Sequence, residues 1–567
     1  MNIKEKIKLK VKKAVLDLQK EGVFGSCEAL KFEVEYPKEN FGDYSTNFAM
    51  RSAKFLKKNP REVAEKIKEN ILKNDKDGFF KKVEVAGAGF LNFYLSDKIF
   101  FENIKNILKE KEAYGKNEIL KGKRVLMEYT DPNPFKVFHI GHLMSNSIGE
   151  ALSRVFEFCG ADVKRVCYQG DVGMHVARAI FGLLNNEKYL EEVFDDKKSL
   201  DEKVACLGAA YAFGSLEAEE AELKELNKKI YEKSDEKINK IYQVGRKVSL
   251  DYFESIYKKL DTKFDEYFFE SETGEFGKKV VLENLKNGVF KKSKGAVVFE
   301  GEKYGLHTRV FVNSEGLPTY EAKELGLAKI KYDKLGYDKS VIITGNEVNE
   351  YFKVLLKAMT FIFPDLAEKT EHISHGMLRL PSGKMSSRTG DVIPAEGFIK
   401  QVSNTIKEKR NLDKDILEKI SIAAIKYSIL KQKIGKDIVF DFGSSVSFEG
   451  DSGVYLLYSY VRAKSILRKA ESEKIKASFE KISDDISELE KVLVKFPELV
   501  ELALWERSPH YITTYLIELS QKFNSYYAKN KIVGGENSSY RVALVEAVAA
   551  TLKNGLYILG IKSLEKM

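Results

Sequence analysis

The spacing of apolar residues near the N-terminus changes from a helical period to a strand period. In residues 1–22, apolar positions recur every three or four residues opposite a lysine-rich face, which predicts an amphipathic helix. A second helix is predicted from Pro60 to Leu72, and residues 83–95 alternate around two glycines as in a β-hairpin. The pattern therefore predicts a small α+β module at the start of the chain.

Short apolar runs alternate with helical segments between about residues 122 and 390. A helix from Leu143 to Phe158, ended by Gly160, follows the first run, and 186–250 is predicted to be a helical insertion. Such alternation predicts a parallel sheet wrapped by helices, in which ligands bind at the carboxyl ends of the strands. The predicted strands are Val125–Tyr129, Val163–Tyr168, Ala296–Phe299, Arg309–Val312 and Ser340–Ile343.

The rest of the chain carries helical periods almost throughout. Ile420–Gln432 shows helix-spaced apolar residues, and the stretch from Asp451 to Met567 has the pattern of a helix bundle. A Lys/Glu cluster with Gly115 predicts a linker at roughly 107–121. We therefore predict a multidomain α/β protein with four regions, namely 1–112, 113–390, a helical connecting region at 391–449, and an all-α region at 450–567.

Composition narrows the class of protein only slightly. A chain of 567 residues is too long for one core, and 94 basic against 85 acidic residues give a net charge of +9, which permits a nucleic-acid partner without requiring one. No signal-peptide core or apolar run of about 18 residues is present, so we expect a soluble, intracellular protein that binds no membrane. No structural metal is predicted, because zinc spacing is absent from the cysteines, which are Cys27, Cys159, Cys167 and Cys206.

One polar stretch, residues 128–142, lies where the first predicted strand leads into its helix. His139 and His142 bracket Gly141 at the predicted helix N-terminus. Unpaired N–H groups at such a terminus favour anions, and a glycine allows close approach of the backbone, so a phosphate would fit there. The alternative is that these residues merely form a strand-to-helix turn.

A second polar stretch runs from Leu378 to Asp391. A proline and two glycines bound a small cationic segment that contains Lys384, Met385 and Ser386. A loop of this composition could close a lysine over a polyphosphate. The alternative is a solvated surface turn.

Together, the two stretches resemble the His-Ile-Gly-His and Lys-Met-Ser-Lys-Ser motifs of class I aminoacyl-tRNA synthetases. The residues beside them, Asp131-Pro-Asn-Pro-Phe-Lys136 and Met-Ser-Ser-Arg-Thr-Gly, resemble arginyl-tRNA synthetases in particular. The N-terminal module is similar to that family at Asn40–Tyr44 and Gly87–Phe90, and the C-terminal bundle ends, as the family does, in a basic residue and Met567. The resemblance therefore extends over the three main regions.

The resemblance implies a Rossmann-type catalytic domain with a helical insertion, a domain that contacts the tRNA elbow, and an anticodon-binding domain. It implies an arginine–tRNA ligase that activates L-arginine with ATP, with Mg²⁺, and esterifies the 3′-terminal adenosine of tRNA(Arg). It assigns catalysis to His139, His142 and Lys384. The ATP contacts that it implies are His139, Gly141, His142, Lys384, Met385 and Ser386.

The resemblance also implies an arginine site. A carboxylate grips a planar guanidinium through paired hydrogen bonds, and the i,i+4 spacing puts Tyr320 beside Glu324 on one helix face. Glu270 and Glu324 could share the one cation. In the family's pattern, the guanidinium is held by Tyr320, Glu324 and Glu270, and the backbone groups of the amino acid by Glu128, Asp131, Asn133, Lys136 and His139.

Three positions depart from the family's pattern. The family more often has Asp at Glu324 and Arg at Met144. At Val348 the expected Gln or His is missing, so the contact to the amino group would come from elsewhere, such as Asn346 or Glu347.

Several aromatic residues of the C-terminal region are candidates for stacking on anticodon bases. Aromatic faces stack on unpaired bases at ~1–3 kcal/mol per base. The alternative is that aromatic residues at helical spacing form core. The candidates are Tyr455, Tyr458, Tyr526 and Tyr527, together with the terminal Met567.

Three other functions remain open at this point: a small-molecule nucleotidyltransferase, a non-enzymatic tRNA-binding relative, and a class I synthetase for a different amino acid. Intact His139, His142 and Lys384 argue against the non-enzymatic relative, and the terminal modules argue against the nucleotidyltransferase. The family further leads us to expect a monomer that acts in the cytoplasm.

Overall fold

A computed structural model of the chain describes residues 2–25, 31–38, 40–380, 393–479 and 485–567. The N-terminal module packs its helices against a three-stranded antiparallel sheet of order β1-β3-β2. The predicted first helix and the hairpin are confirmed, and the apolar face of that helix is buried in the module's core. The elements are α1 (Ile3–Lys20), β1 (Tyr44–Thr46), α2 (Phe48–Leu56), α3 (Pro60–Asn74), β2 (Phe80–Ala86), β3 (Phe90–Leu95) and α4 (Asp97–Glu110).

Helix α4 shows that the predicted linker was wrong at its start. The prediction placed a linker from residue 107, whereas the helix continues to Glu110 and buries Phe100, Ile104 and Ile107. These three residues have helical spacing, so the signal was present in the sequence and the neighbouring charges obscured it.

The central region is built on a five-stranded parallel sheet of order β11-β10-β4-β5-β6. Helices α6 to α10 form the predicted helical insertion between β5 and β6. The elements are β4 (Arg124–Glu128), α5 (Ile140–Phe158), β5 (Asp162–Gln169), α6 (Met174–Leu184), α7 (Glu187–Phe194), α8 (Leu200–Glu217), α9 (Glu220–Glu232), α10 (Glu236–Lys259), β6 (Glu266–Phe269), α11 (Glu270–Leu285), β7 (Lys291–Ser293), β8 (Ala296–Phe299), β9 (Arg309–Val312), α12 (Tyr320–Leu335), β10 (Lys339–Gly345), α13 (Asn349–Ile362), α14 (Pro364–Lys369), β11 (Thr370–His375) and β12 (Leu378–Arg379).

Two of the five predicted strands lie outside the parallel sheet. Ala296–Phe299 and Arg309–Val312 are strands, but they pair with β7 in a separate antiparallel sheet of order β7-β8-β9. The strands that complete the parallel sheet, β6 and β11, were not predicted. Both are edge strands; β6 has four residues and β11 is mostly polar, so neither gives a clear apolar run.

The C-terminal part is helical, as predicted. Its one described strand, β13, pairs in parallel with β12 and so connects this part to the sheet region. The elements are α15 (Ala395–Lys409), α16 (Lys414–Leu430), β13 (Ile438–Val439), α17 (Phe442–Ser445), α18 (Gly453–Ser472), α19 (Glu488–Leu493), α20 (Phe496–Trp505), α21 (His510–Lys529) and α22 (Ser538–Ile558).

The regions pack tightly on one another. A single apolar core joins β4, α5 and α10 to the C-terminal helices. The N-terminal module docks on α20, where Glu498 accepts hydrogen bonds from the Tyr36 and Tyr44 hydroxyls at 2.5 and 3.2 Å. Among the described residues, no helix combines the length and the apolar character that a bilayer crossing requires.

Candidate active site

A cavity of ≈ 590 Å³ lies at the carboxyl ends of β4, β5 and β10. Parallel α/β sheets bind ligands at this edge, because loops and helix N-termini converge there. Lys136 does not line the cavity, and Lys384, Met385 and Ser386 lie outside the described residues. The candidates from the sequence that line it are Glu128, Asp131, Asn133, His139, Gly141, His142, Glu270, Tyr320 and Glu324.

One flank of the second polar stretch lines this cavity, and the other bonds to the backbone on either side of His139. Leu378 and Arg379 line it on one side of the undescribed segment. On the other side, Ile393 accepts a hydrogen bond from the Ile140 N–H at 3.2 Å, and the Ala395 N–H donates to the Phe138 carbonyl at 2.9 Å. The described flanks of the second stretch therefore lie beside the first, although the two are far apart in sequence.

The loop between β4 and α5 has an unusual backbone. Thr130, Asp131 and Phe135 have φ values of 81°, 46° and 65°, a region that non-glycine residues rarely adopt. Hydrogen bonds hold the loop: the Thr130 N–H donates to the Ser145 hydroxyl at 2.9 Å, and the Tyr168 N–H donates to the Asp131 carboxylate at 2.8 Å. Strained backbone of this kind concentrates at functional sites, where surrounding structure stabilises it.

His139 and His142 cap the N-terminus of α5. The Gly141 N–H donates to Nδ1 of His139, and the His139 N–H donates to Nδ1 of His142, both at 3.1 Å. The two rings stack with centroids 3.7 Å apart. The caps satisfy helix N–H groups and fix both rings at the cavity wall.

Both imidazoles are neutral in this environment. Burial, with Lys136 nearby, lowers the pKa of His139 to about 4, and burial beside His139 lowers the pKa of His142 further below its usual value. Because each Nδ1 accepts a backbone N–H, the single ring proton of each residue lies on Nε2. The cavity thus receives two uncharged N–H donors at what we term the histidine end (His139, Gly141 and His142).

Two glycines make this arrangement possible. A Cβ on Gly141 would lie 2.9 Å from Cε1 of His139, so a side chain there would displace the ring. A Cβ on Gly170 would lie 2.3 Å from Oδ1 of Asn133 and 3.1 Å from Oε1 of Glu270. Gly170 was not predicted from the sequence, because a single glycine after a strand is a weak signal.

Four carboxylates form what we term the acid end of the cavity: Glu128, Asp131, Glu270 and Glu324. Two of them are already paired with lysines of α12. Glu128 forms a buried ion pair with Lys331, and Oε2 of Glu270 lies 2.5 Å from Nζ of Lys323. The sequence led us to expect that Glu270 and Glu324 share one cation of the ligand. In the structure Glu270 already pairs with Lys323, which leaves Glu324 as the acid of the two without a lysine partner among the described residues.

In the described ranges, neither Glu324 nor Asp131 forms an ion pair with a lysine or arginine side chain. In the described part of the chain no group donates a hydrogen bond to the Glu324 carboxylate, which lines the cavity one helical turn after Tyr320. Burial and the neighbouring charge of Glu128 raise the pKa of Glu324 and of Asp131 well above their usual values. Two uncompensated acids face a cavity that a cation would stabilise.

The other residues that the sequence singled out do not all line the cavity. Lys136 is partly buried behind the histidine end, where burial and Arg178 lower its pKa and Glu270 opposes them. Glu347 and Val348 line the cavity, whereas Asn346 does not. Met144, where the family often has Arg, is buried in the core.

Several cavity residues were missed by the sequence reasoning. Arg309 and His375 line the cavity, and the lysines of α12 pair with two of its acids. Lys323 and Lys331 stood among apolar residues of a predicted helical segment, a signal that a buried charge needs a partner. In the described ranges, no group of three or more His, Cys, Asp or Glu side chains could hold a metal ion.

The anticodon candidates lie in the C-terminal bundle, where α18 and α21 meet. Tyr455 accepts a hydrogen bond from Asn524 at 2.9 Å, and Tyr458 accepts one from Arg462 at 2.8 Å. Arg462 also lies over the Tyr527 ring, 5.8 Å from its centroid. Tyr526 and Met567 are partly buried against the core. Tyr527 is the exposed member of the group.

Comparisons with known proteins agree with this architecture. The family model described as tRNA synthetases class I (R), catalytic domain, matches residues 103–442. The DALR anticodon binding domain matches 456–567, and the arginyl tRNA synthetase N terminal domain matches 1–95. The chain thus has the fold of a class I tRNA synthetase.

Full-length relatives narrow the family. The chain is 32% identical over 577 residues to an arginine–tRNA ligase of Clostridium perfringens, covering 98% of this chain and 100% of the relative. It is 32% identical to the corresponding protein of Clostridium acetobutylicum over 95% of this chain and 97% of that one. The chain belongs to the arginyl-tRNA synthetase family, as the motifs predicted.

Solved structures share the fold. Arginyl-tRNA synthetases from Plasmodium falciparum and Thermus thermophilus each superpose with a TM-score of 0.79 at 22% identity, over 100% of both chains. The predicted architecture, a parallel-sheet domain with an α+β module before it and a helical domain after it, is confirmed.

Proposed function

We propose that the chain is an arginine–tRNA ligase, which converts L-arginine and ATP to arginyl-adenylate and pyrophosphate and then transfers arginine to the 3′-terminal adenosine of tRNA(Arg). The observation that carries the proposal is one cavity with neutral N–H donors at its histidine end and uncompensated carboxylates at its acid end. A ligand that joins a phosphate to a guanidinium fits such a cavity.

ATP binds at the histidine end in this proposal. Activation is an in-line attack of the arginine carboxylate on the α-phosphorus, and negative charge gathers on phosphoryl oxygens as pyrophosphate leaves. The Nε2–H groups of His139 and His142, held in place by their caps, donate to that charge without first having to be reoriented. Gly141 leaves room for the nucleotide base.

Lys384, with Met385 and Ser386, is proposed to contact the departing pyrophosphate. The support is that Leu378 and Arg379 line the cavity and that Ile393 and Ala395 bond to the backbone of Ile140 and Phe138, on either side of His139. We expect Mg²⁺ to arrive with the ATP phosphates, and no step is assigned to the ion.

Arginine binds at the acid end. Glu324 accepts paired hydrogen bonds from the guanidinium, with Tyr320 beside it and Glu270 as a further acid at the wall. Glu128, Asp131, Asn133 and His139 lie nearest the amino acid's backbone groups, with Lys136 behind them. Glu347 supplies the contact expected near Val348, because it lines the cavity there.

The C-terminal bundle is proposed to bind the anticodon. Tyr527 is exposed, and Arg462 holds Tyr458 nearby, so a base can stack on this surface. Tyr455, Tyr526 and Met567 support the surface from beneath. We propose a monomer acting in the cytoplasm, which light scattering and cell fractionation would test.

Arginine-dependent ATP–pyrophosphate exchange, with and without tRNA, tests the function. We expect exchange that requires arginine and tRNA. Exchange with another amino acid would indicate a different class I specificity. Exchange with no amino acid requirement would indicate a nucleotidyltransferase, and tRNA binding without exchange would indicate a non-enzymatic relative.

A further inference from the structure

Helix α12 supplies both the acid that faces the cavity and the cations that neutralise its neighbours. Lys323 precedes Glu324, and Lys331 follows it by two helical turns. Lys331 is 1% exposed and reaches across to Glu128 at the end of β4, with the Ser340 hydroxyl 3.5 Å from its Nζ. A lysine this deeply buried needs a compensating partner, and here the Glu128 carboxylate supplies it.

The pairing leaves two acids of the acid end without a lysine partner among the described residues. Four carboxylates form the acid end, and the two lysines of α12 each neutralise one of them. Asp131 and Glu324 remain. Arginine carries two cationic groups, the α-ammonium and the guanidinium, and these two acids are placed to face them.

We propose that Lys331 is a specificity-determining positioning residue, which holds Glu128 in an internal ion pair and thereby leaves Glu324 to the guanidinium. The inference rests on the proposed function. Without Lys331, the Glu128 charge would stand uncompensated beside Glu324, and the acids would share a proton that arginine must displace. Lys331 acts through Glu128 and has no contact with the substrate.

The pH dependence of arginine binding reports this role. Arginine requires ionised Glu324, so its affinity falls as pH drops below the pKa of that carboxyl in the free enzyme. The tyrosines nearest Glu324 stay neutral over the range tested, because burial raises the pKa of both Tyr168 and Tyr351. The charged groups that face Glu324 are Glu128 from β4, Asp131 from the following loop, Glu270 from α11, and Lys331 from its own helix.

The experiment measures arginine-induced thermal stabilisation of the full chain between pH 6 and 9, and takes the half-saturating arginine concentration at each pH. The bend in this profile is the pH below which arginine affinity begins to fall. For Lys331→Met we expect the bend to lie at least about one pH unit higher, because one cation is lost from the acid end. Lys331→Arg should restore the wild-type profile. Lys329→Met is the matched control, since Lys329 lies on the same helix but pairs with Asp333 at the surface.

Glu128→Gln shifts the profile in the opposite direction. It removes a neighbouring negative charge and leaves Lys331 free to approach Glu324, so the bend should move to lower pH. Lys331→Gln, which removes the same charge but keeps a polar side chain, decides the matter if Lys331→Met fails to fold. An unshifted bend in the Lys331 variant, or an equal shift in Lys329→Met, would overturn the proposal.

A failure of the proposed function is distinguishable from these outcomes. It would be seen in the unmodified chain, which would then be stabilised by ATP and not by arginine. The Michaelis constant for ATP provides a second check, because the role assigned to Lys331 leaves it unchanged, whereas general damage to the cavity would raise it.

Discussion

The two ends of the cavity present charge in opposite ways. At the histidine end, stacked neutral rings are fixed by backbone hydrogen bonds and bring N–H groups without net charge. At the acid end, full charges are buried, and two of the four acids are cancelled by lysines from α12. The histidine end relies on oriented N–H dipoles, whereas the acid end relies on carboxylates that no lysine of α12 neutralises.

Under the proposed function, the difference reflects the ligand that each end binds. A triphosphate carries several charges of its own, so fixed N–H donors stabilise it, and they act strongly where water is excluded. Arginine must instead be distinguished by its cations, which requires uncompensated carboxylates. Burying such acids is costly, and the internal lysines limit how many remain.

The largest effect is expected from the histidine end. His142→Asn keeps a side-chain acceptor for the His139 N–H but loses the Nε2–H donor. We expect kcat for arginine-dependent exchange to fall about 10²–10³-fold, as for loss of one preorganised donor. Arginine-induced thermal stabilisation should stay unchanged. If arginine binding weakened as much as kcat fell, the two ends would not be separate.

Glu324→Gln tests the acid end. The amide keeps the shape of the side chain but removes the charge, so we expect KM for arginine to rise about 10–100-fold with KM for ATP unchanged. Asp333→Asn, on the exposed side of the same helix, serves as the control. Equal effects on both Michaelis constants would remove Glu324 from the guanidinium site.

Gly141→Ala tests the position of the His139 ring. The added Cβ would meet the ring at 2.9 Å and force it out of its preferred rotamer, so we expect KM for ATP to rise about tenfold. Gly397→Ala is the matched control, because a Cβ there meets nothing within 4 Å. An unchanged KM for ATP would show that the ring position does not matter for nucleotide binding.

The smallest effect is on stability. The folded pKa of His139, about 4, lies below its usual 6.5. The unfolded chain therefore takes up a proton first as pH falls, and stability is lost between pH 6.5 and 4. We measure the unfolding free energy by urea titration at pH 7, 6 and 5. Its fall between pH 7 and pH 5 should be smaller in His139→Asn than in the wild type, by on the order of 1 kcal/mol.

His307→Asn, at an exposed position, is the control for that measurement. A variant profile parallel to that of the wild type would mean that His139 is not buried as a neutral ring. Between pH 6 and 8 the histidine end should not titrate, so KM for ATP should be flat there while arginine affinity varies.

Much of the fold followed from local patterns. The helix α1, the hairpin β2–β3 and the end of α5 at Phe158 were predictable, because apolar spacing and glycine positions act locally. The edge strands were not, because a strand exposed along one side needs no continuous apolar run. The assignment of Ala296–Phe299 to the wrong sheet has a related cause, since strand pairing is set by distant partners.

The candidate site likewise has one part that the sequence predicted and one part that only the structure revealed. His139, His142 and the residues just before them were recognisable as a group because they are neighbours in sequence. The pairs Glu128–Lys331 and Glu270–Lys323 join positions 203 and 53 residues apart, and no local pattern links them. The neutral state of the histidines likewise depends on burial by several elements.

The sequence by itself determined which chemical groups the chain can offer: imidazoles at a helix start, acids on α12, and a glycine where the backbone must be approached. It also determined the family, because both polar stretches contain the family's motif residues in the family's order. Only the tertiary structure decided which acids are left uncompensated and which imidazole nitrogens carry a proton. Charge balance and desolvation depend on what lies within a few ångströms in space, and residues far apart in the chain supply those neighbours.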